Sequence, residues 1–183
     1  MRAAIIAMMI LLLPAALFAG PTMGIYFTYN AGQMTYSPTA NEMFTAYVYA
    51  QGTQCYLNAA EFEICYPPGI LEIGFEVPPG SLTLGASADE GLSIAYWPPM
   101  DGWNPGYNLL CTLHLFAADW CRCTGGTLSD APVTIVPHHE TGLIQGSCWP
   151  ENYLIEYTGL TSIICPGQYG VQETNWGAIK SLF

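Results

Sequence analysis

A period-two alternation of apolar and polar residues runs through much of this sequence, and it constrains the fold more than any other feature. In segment 44–50 the phenylalanine, the alanines and the valine fall on one face of an extended chain, while the threonine and the tyrosines fall on the other. Segments 60–64 and 71–77 alternate glutamates with apolar residues. They predict two half-buried strands with an acidic outer face.

Other short segments also have strand character, and clusters of glycine and proline separate them. The additional predicted strands are 24–29, 82–84, 92–97, 109–117, 133–136, 143–145 and 154–157. The turn clusters are 67–69, 78–80, 98–102 and 124–126, where proline fixes φ and glycine permits a positive φ. Short strands at this spacing predict an all-β fold, specifically an antiparallel β-sandwich.

The two ends of the chain differ from the strand-rich middle. Met1-Arg2, an apolar run over 3–18 and a small-residue exit at Ala19 have the pattern of a secretory signal peptide, with an uncleaved anchor as the alternative. A short C-terminal amphipathic helix is predicted because Trp176 begins an apolar series with helical spacing. The protein is therefore expected to be secreted, extracellular or in the cell envelope, with no membrane span after signal cleavage.

These patterns divide the chain into four parts. They are a signal peptide over 1–19, a β-sandwich core over 20–130, a continuation or appendage rich in Cys, Gly and Pro over 131–170, and the short helix over 171–183.

Charge excludes some classes of partner. The chain has 3 Lys and Arg residues against 14 Asp and Glu, for a net charge of -11. Nucleic acid is excluded because several basic side chains on one face are needed to neutralise phosphates. An acidic surface with almost no lysine favours a glycan, a cation or another protein, although net negative charge also serves simple solubility.

Cysteines are frequent, and an exported chain is expected to use them in disulfides. The candidates for bridges are Cys55, Cys65, Cys121, Cys123, Cys148 and Cys165, and we expect Cys121 or Cys123 to reach Cys148 or Cys165. Cys111 lies inside an apolar strand and is expected to keep a buried free thiol. A zinc site built from these cysteines with His138 and His139 is disfavoured, because the C-x-C spacing fits structural zinc poorly.

Aromatic residues mark the candidate recognition site. Tyr96, Trp97, Trp103 and Tyr107 flank a loop rich in Pro and Gly, and exposed aromatic side chains stack on sugars and anchor protein interfaces. The alternative is that the two tryptophans cap the open end of the sandwich.

Three other groups of polar residues are weaker candidates. His138-His139-Glu140 is interpreted as a polar loop, because adjacent residues of an extended chain point to opposite faces. An acidic patch forms if the strands carrying Glu61, Glu63, Glu72 and Glu76 are neighbours, and a glycosidase would need such a carboxylate pair. Calcium could bind the loops of Asp89-Glu90 and Asp101. We otherwise expect no cofactor, no metal and no catalytic residues.

An ordered series of motifs resembles the cohesin-like branch of bacterial extracellular β-sandwiches, within the wider immunoglobulin-like group. The series covers about residues 41–118 and consists of the segments 44–48, 57–64, 67–72, 91–96 and 109–115. Cohesins are normally poor in cysteine, and the segment after Asp130 has no counterpart in the resemblance. Because cohesins bind dockerins through a sheet face rather than a sequence motif, no binding residue carries over.

The resemblance implies a secreted, non-catalytic binding or scaffolding module that recognises a protein or glycan through a sheet face or the aromatic loop. The alternatives are a structural subunit of an extracellular surface assembly and, third, a small secreted glycoside hydrolase.

Overall fold

A computed structural model of the protein describes residues 20–39, 41–103, 106–118 and 131–164. Within these ranges the chain forms strands and turns, with no helix and hence none long and apolar enough to cross a membrane. The strands are β1 Thr22–Tyr26, β2 Thr35–Tyr36, β3 Glu42–Gln51, β4 Tyr56–Cys65, β5 Ile70–Glu76, β6 Leu82–Leu84, β7 Leu92–Asp101, β8 Tyr107–Ala117, β9 Ala131–Val136, β10 Gln145–Trp149, β11 Tyr153–Glu156, β12 Thr158–Gly159 and β13 Thr161–Ile164.

Two sheets share these strands. The five-stranded sheet has the order β12-β1-β3-β8-β5, and β12 joins β1 in parallel while the other pairs are antiparallel. The eight-stranded sheet has the order β11-β10-β4-β9-β13-β2, with β7 added to β4 and β6 to β7. Its β13 and β2 form a second parallel pair. The sandwich is therefore antiparallel apart from two short pairings, and residues 131–164 supply strands to both sheets.

The core lies between the two sheets. On β3 the side chains of Phe44, Ala46, Val48 and Ala50 are all buried, which confirms the face predicted from the alternation. The largest side chains of the core come from both sheets, and they include Met23, Ile25, Leu113 and Leu115 on one side and Leu57, Phe62, Ile64, Leu92, Ile94 and Ile135 on the other.

The prediction for β5 is wrong in its first half. Glu72 pairs with Leu115 and Gly74 with His114, so that Ile73 is an extra residue between them. This bulge reverses which side chains face the core. Glu72 points inward, whereas Leu71 and Ile73 are exposed on the outer face of the sheet.

A disulfide joins the start of β4 to β10. Cys55 bonds to Cys148, both of them predicted bridge candidates, so Cys148 is not the partner of Cys121 or Cys123 and only the Cys165 alternative of that prediction is left. Cys65 was expected to form a bridge, but it has an exposed free thiol, and Cys111 has a fully buried one. Cys121, Cys123 and Cys165 lie outside the described residues, as do the predicted signal peptide over 1–19 and the predicted helix over 171–183.

Candidate functional site

The outer face of the eight-stranded sheet has a row of small side chains between larger apolar ones. Strand register places Leu82, Ala95, Ala59, Ser147 and Leu154 side by side across β6, β7, β4, β10 and β11. The two alanines and the serine form a low floor, and the leucines rise at either end. We call these five residues, with Leu84, the trough.

The trough is unusually apolar for a surface. Leu82 and Leu84 are each 76% exposed, and Leu154 is exposed at the opposite edge. The depression over Ala59 and Ala95 has a volume of about 360 Å³. Contiguous exposed apolar side chains of this kind mark surfaces that bind another molecule.

A polar row runs beside the floor of the trough. Ser93, Glu61, Gln145 and Glu156 follow one another across β7, β4, β10 and β11. The Gln145 amide donates to one oxygen of the Glu61 carboxylate at 2.6 Å, and the Ser93 hydroxyl donates to the other at 3.3 Å. A negative charge is therefore held in a fixed position beside the apolar floor.

One end of the trough is aromatic, and β7 has a bulge there. Ala59 pairs with Ala95 and Leu57 with Met100, so the segment 96–99 lies opposite the single residue Asn58. Trp97 continues the outward series of Ser93 and Ala95 and is 72% exposed. Gly80 packs against this bulge with φ of 86°, and a Cβ there would lie 2.3 Å from the Trp97 carbonyl oxygen.

A second tryptophan completes the aromatic end. Trp149 pairs with Tyr56, which pairs with Asp101, so the three side chains form a row with all of them exposed. The rings of Tyr56 and Trp149 meet edge to face at 6.3 Å. Trp97 and Trp149 line one pocket of about 230 Å³, which we call the aromatic pocket.

Asn58 lines the floor of the aromatic pocket. Its Nδ2 donates to Asn152 Oδ1 at 2.8 Å. Its Oδ1 is buried and has no hydrogen-bond partner among the described residues. A buried acceptor in this state costs about 1–3 kcal/mol.

The structure separates the four aromatic residues singled out in the sequence. Tyr96 is buried in the core with its hydroxyl 3.5 Å from the Leu110 carbonyl oxygen, so the expectation that it forms a surface contact is wrong. Trp97 lies on the trough side. Trp103 is 62% exposed in the loop after β7, where its backbone N–H donates to Asp101 Oδ1. Tyr107 belongs to the other sheet.

Tyr107 packs on the outer face of the five-stranded sheet. Its ring meets those of Tyr26 and Tyr49 at 5.3 and 5.9 Å. The Tyr49 hydroxyl donates to the Tyr29 carbonyl oxygen, which ties the loop after β1 to this face. Burial and the neighbouring Tyr107 raise the pKa of Tyr26 to about 12. These rings are packed against one another and form a structural cluster rather than an open platform.

Trp149 and the trough leucines were not among the residues predicted to form a site. The alternation of Leu82 and Leu84 puts both on one face, but the pattern does not say that this face is the outer one. The signal that could have found Trp149 is a repeated Trp-Pro dipeptide, 97–98 and 149–150.

The predicted acidic patch does not form. Glu61 and Glu63 belong to β4 in the eight-stranded sheet, whereas Glu72 and Glu76 belong to β5 in the five-stranded one. The four carboxylates are therefore divided between the two sheets, although Glu63 and Glu72 line one pocket together with Asp89.

Glu72 points into the fold, where its carboxylate is hydrogen-bonded. Its carboxylate accepts hydrogen bonds from the Tyr66 hydroxyl at 2.8 Å and from the Ala88 backbone N–H at 3.0 Å. Burial, more than any neighbouring charge, raises the pKa of both Glu72 and Tyr66. Burial likewise raises the pKa of the Cys111 thiol, which keeps it protonated and unreactive.

The two adjacent histidines do not point apart as expected. Their rings stack with centroids 4.8 Å apart, because the chain turns after β9 instead of remaining extended. His138 is buried, and its Nδ1 accepts from the Glu140 backbone N–H, while His139 lies beside the Glu63 carboxylate. Within the described ranges, no three His, Cys, Asp or Glu side chains are placed to hold a metal ion.

The charge of the described surface is entirely acidic apart from histidine. Arg2, Arg122 and Lys180 are the three basic residues of the chain, and all of them lie outside the described residues. A partner that approaches the trough therefore meets negative potential.

Comparison with known proteins gives matches in structure alone. Neither protein-family models nor curated proteins match the sequence. The sixth cohesin of scaffoldin B from Acetivibrio cellulolyticus, solved in complex with a Cel5 dockerin mutant, is 12% identical over 81% of this chain and 100% of its own, with a TM-score of 0.54.

Two further solved structures give similar values. The third ScaB cohesin of R. flavefaciens, in complex with a group 1 dockerin, is 12% identical over 82% of this chain and 99% of its own, with a TM-score of 0.52. The CaCohA2 solution structure from Clostridium acetobutylicum is 11% identical over 81% of this chain and 93% of its own, with a TM-score of 0.51. The described part of this chain therefore has the cohesin-like β-sandwich fold, as the resemblance over residues 41–118 predicted.

Proposed function

We propose that this protein is a secreted, non-catalytic module that binds a protein partner through the trough on its eight-stranded sheet. The single observation that carries the proposal is the exposure of Leu82, Leu84 and Leu154 around a floor of small side chains. A floor of alanine and serine admits a helix or strand to the sheet at close range, and the leucines supply apolar area that binding removes from water.

Comparison with solved structures supports a protein as the partner. The cohesins from A. cellulolyticus and R. flavefaciens were solved with dockerins bound to them. A dockerin-like module is therefore the first partner to test for this chain. Export is supported by the predicted leader and by the disulfide between Cys55 and Cys148, since disulfides persist mainly outside the cytosol.

The test compares substitutions on the two outer faces. Leu82→Asp and Leu154→Asp place charges in the trough, while Met43→Asp places one at an exposed apolar position on the five-stranded sheet. Each mature variant is presented to a panel of dockerin modules and to the secreted proteins of the source organism. We expect the trough variants to lose at least about tenfold in affinity, because each buried leucine contributes about 1.5–3 kcal/mol.

The matched control should bind like the parent protein. Loss of binding in Met43→Asp but not in the trough variants would assign recognition to the other sheet and contradict the proposal. Concentration-dependent self-association that the trough variants abolish would instead favour a structural subunit of a surface assembly.

A further inference from the structure

Two tryptophans lie at one end of the trough with their rings exposed, and exposed indole rings side by side are typical of a binding site. Trp97 lies in the bulged segment of β7, and Trp149 ends β10 on the far side of β4. Between them the aromatic pocket is lined mainly by apolar groups, including Leu82, Ala95 and Pro99. An indole face attracts either an apolar ring or a cation.

The hydrogen-bonding groups of the pocket are too few for a sugar. A sugar ring presents several hydroxyls, and each needs a partner when it leaves water. The side chains of the lining offer the Asn58 amide, whose Nδ2 already donates to Asn152, and the indole N–H groups of the two tryptophans, which can only donate. The hydroxyl of Tyr96 faces the Leu110 carbonyl oxygen in the core. A cation needs fewer hydrogen-bond partners than a sugar, because its main attraction is to the ring faces.

Charge favours the cation as well. Asp101 is exposed in the same row as Tyr56 and Trp149, and Glu151 is exposed in the turn that follows β10. No lysine or arginine lies in the described part of the chain to occupy the pocket from within.

We propose that the aromatic pocket between Trp97 and Trp149 binds a cationic side chain, above all an arginine guanidinium, contributed by the protein partner of the trough. This inference rests on the proposed function and names the anchor of that partner. A guanidinium is planar, stacks on indole rings and is only weakly hydrated, so it enters such a pocket at a lower desolvation cost than an ammonium.

The test uses a small probe in place of the partner. N-acetyl-arginine amide is titrated into the ¹⁵N-labelled mature protein while the indole N–H signals are followed by NMR. The signals of Trp97 and Trp149 should shift together and saturate, and that of Trp103 should not. N-acetyl-citrulline amide has nearly the same shape without the charge, and it should bind about tenfold more weakly.

Tryptophan variants test where the arginine probe binds, and the salt dependence tests whether the attraction is electrostatic. Trp97→Leu should weaken arginine binding seen at Trp149, Trp149→Leu should weaken it at Trp97, and the equally exposed control Trp103→Leu should leave it unchanged. Raising the salt concentration should weaken binding, since the attraction is electrostatic.

Two results would overturn the proposal, and both are available from the parent protein alone. One is equal binding of the citrulline and arginine probes. The other is a shift of the Trp97 and Trp149 signals by cellotetraose without any response to arginine, which would make the pocket a glycan site. Either result leaves the trough proposal intact, because Leu154 lies outside the lining of the aromatic pocket and Leu154→Asp tests partner binding separately.

Discussion

Cys55 and Cys148 are joined by a disulfide across 93 residues of sequence, with their Cα atoms 5.8 Å apart. The bridge fastens β10 to the start of β4, at the aromatic end of the trough. We expect the double variant Cys55→Ser, Cys148→Ser to lower the free energy of unfolding by about 2–5 kcal/mol, because a closed loop of this length restricts the unfolded chain. Urea denaturation under non-reducing conditions measures the difference.

The control for this disulfide is the exposed thiol of Cys65, whose replacement by Ser should change stability by no more than about 0.5 kcal/mol. Equal stability of the double variant and the parent would show that the bridge does not contribute to the fold.

Glu72 should make the protein less stable as pH rises. Its pKa is raised in the folded state, chiefly by burial, so the folded protein holds this proton more tightly than the unfolded chain does. The stabilisation is complete below the ordinary carboxyl pKa and is lost as pH rises through the raised value. Glu72→Gln should remove this loss. Between pH 4 and 8 the free energy of unfolding of the parent should therefore fall relative to that of the variant. Denaturation curves measure this difference, and a difference that stays constant with pH would contradict the assignment.

Glu42 should have the opposite effect on stability, which it lowers as pH falls. Its carboxylate accepts hydrogen bonds from the Thr39 backbone N–H and hydroxyl and from the Tyr36 hydroxyl at 2.7 Å. These bonds lower its pKa, with the backbone bond contributing most. The stabilisation is present above the ordinary carboxyl pKa and is lost as pH falls through the lowered value. Tyr36→Phe should raise the pKa of Glu42, which an NMR titration of its side-chain carboxyl carbon measures.

Gly80 should be required for the close packing of its turn against the β7 bulge at Trp97. A Cβ at this position would lie 2.3 Å from the Trp97 carbonyl oxygen, in addition to facing a positive φ. Gly142 has a positive φ of 69° but open space around it, and it is therefore the matched control. Gly142→Ala should cost about 1–2 kcal/mol from the backbone alone. Gly80→Ala should lower the free energy of unfolding by more than Gly142→Ala does, which thermal unfolding measures. It should also shift the Trp97 indole N–H signal in NMR spectra.

Alternation predicted the strands well where one face meets the core throughout. On β3 the sequence and the structure agree from Phe44 to Ala50. The ladder with β8 has one irregularity, but its extra residue, Leu110, lies on β8, so the period of β3 is preserved. On β5 the extra residue at Ile73 breaks that period, and Glu72 and Leu71 exchange faces. A bulge depends on the partner strand, so a local pattern cannot reveal it.

The candidate site was predictable only in part. Trp97 was recognisable as an exposed aromatic residue beside a Pro- and Gly-rich turn. Its neighbour Trp149 lies on β10, and the two meet only because both β7 and β10 pair with β4. Tertiary packing decides which sheet a strand joins. For the same reason Trp97 and Tyr107 lie on different sheets although they are only ten residues apart in sequence.

The lack of lysine and arginine in the described ranges also decides how the chain breaks under proteases. An enzyme that cuts after basic residues finds its sites in this sequence only at Arg2, Arg122 and Lys180, none of which lies in a described strand. A cut after Arg122 would separate β8 from β9 in sequence, yet Cys55 and Cys148 would keep the two fragments covalently joined. Reagents that label lysine amines would likewise find no side chain to modify anywhere on the described sandwich.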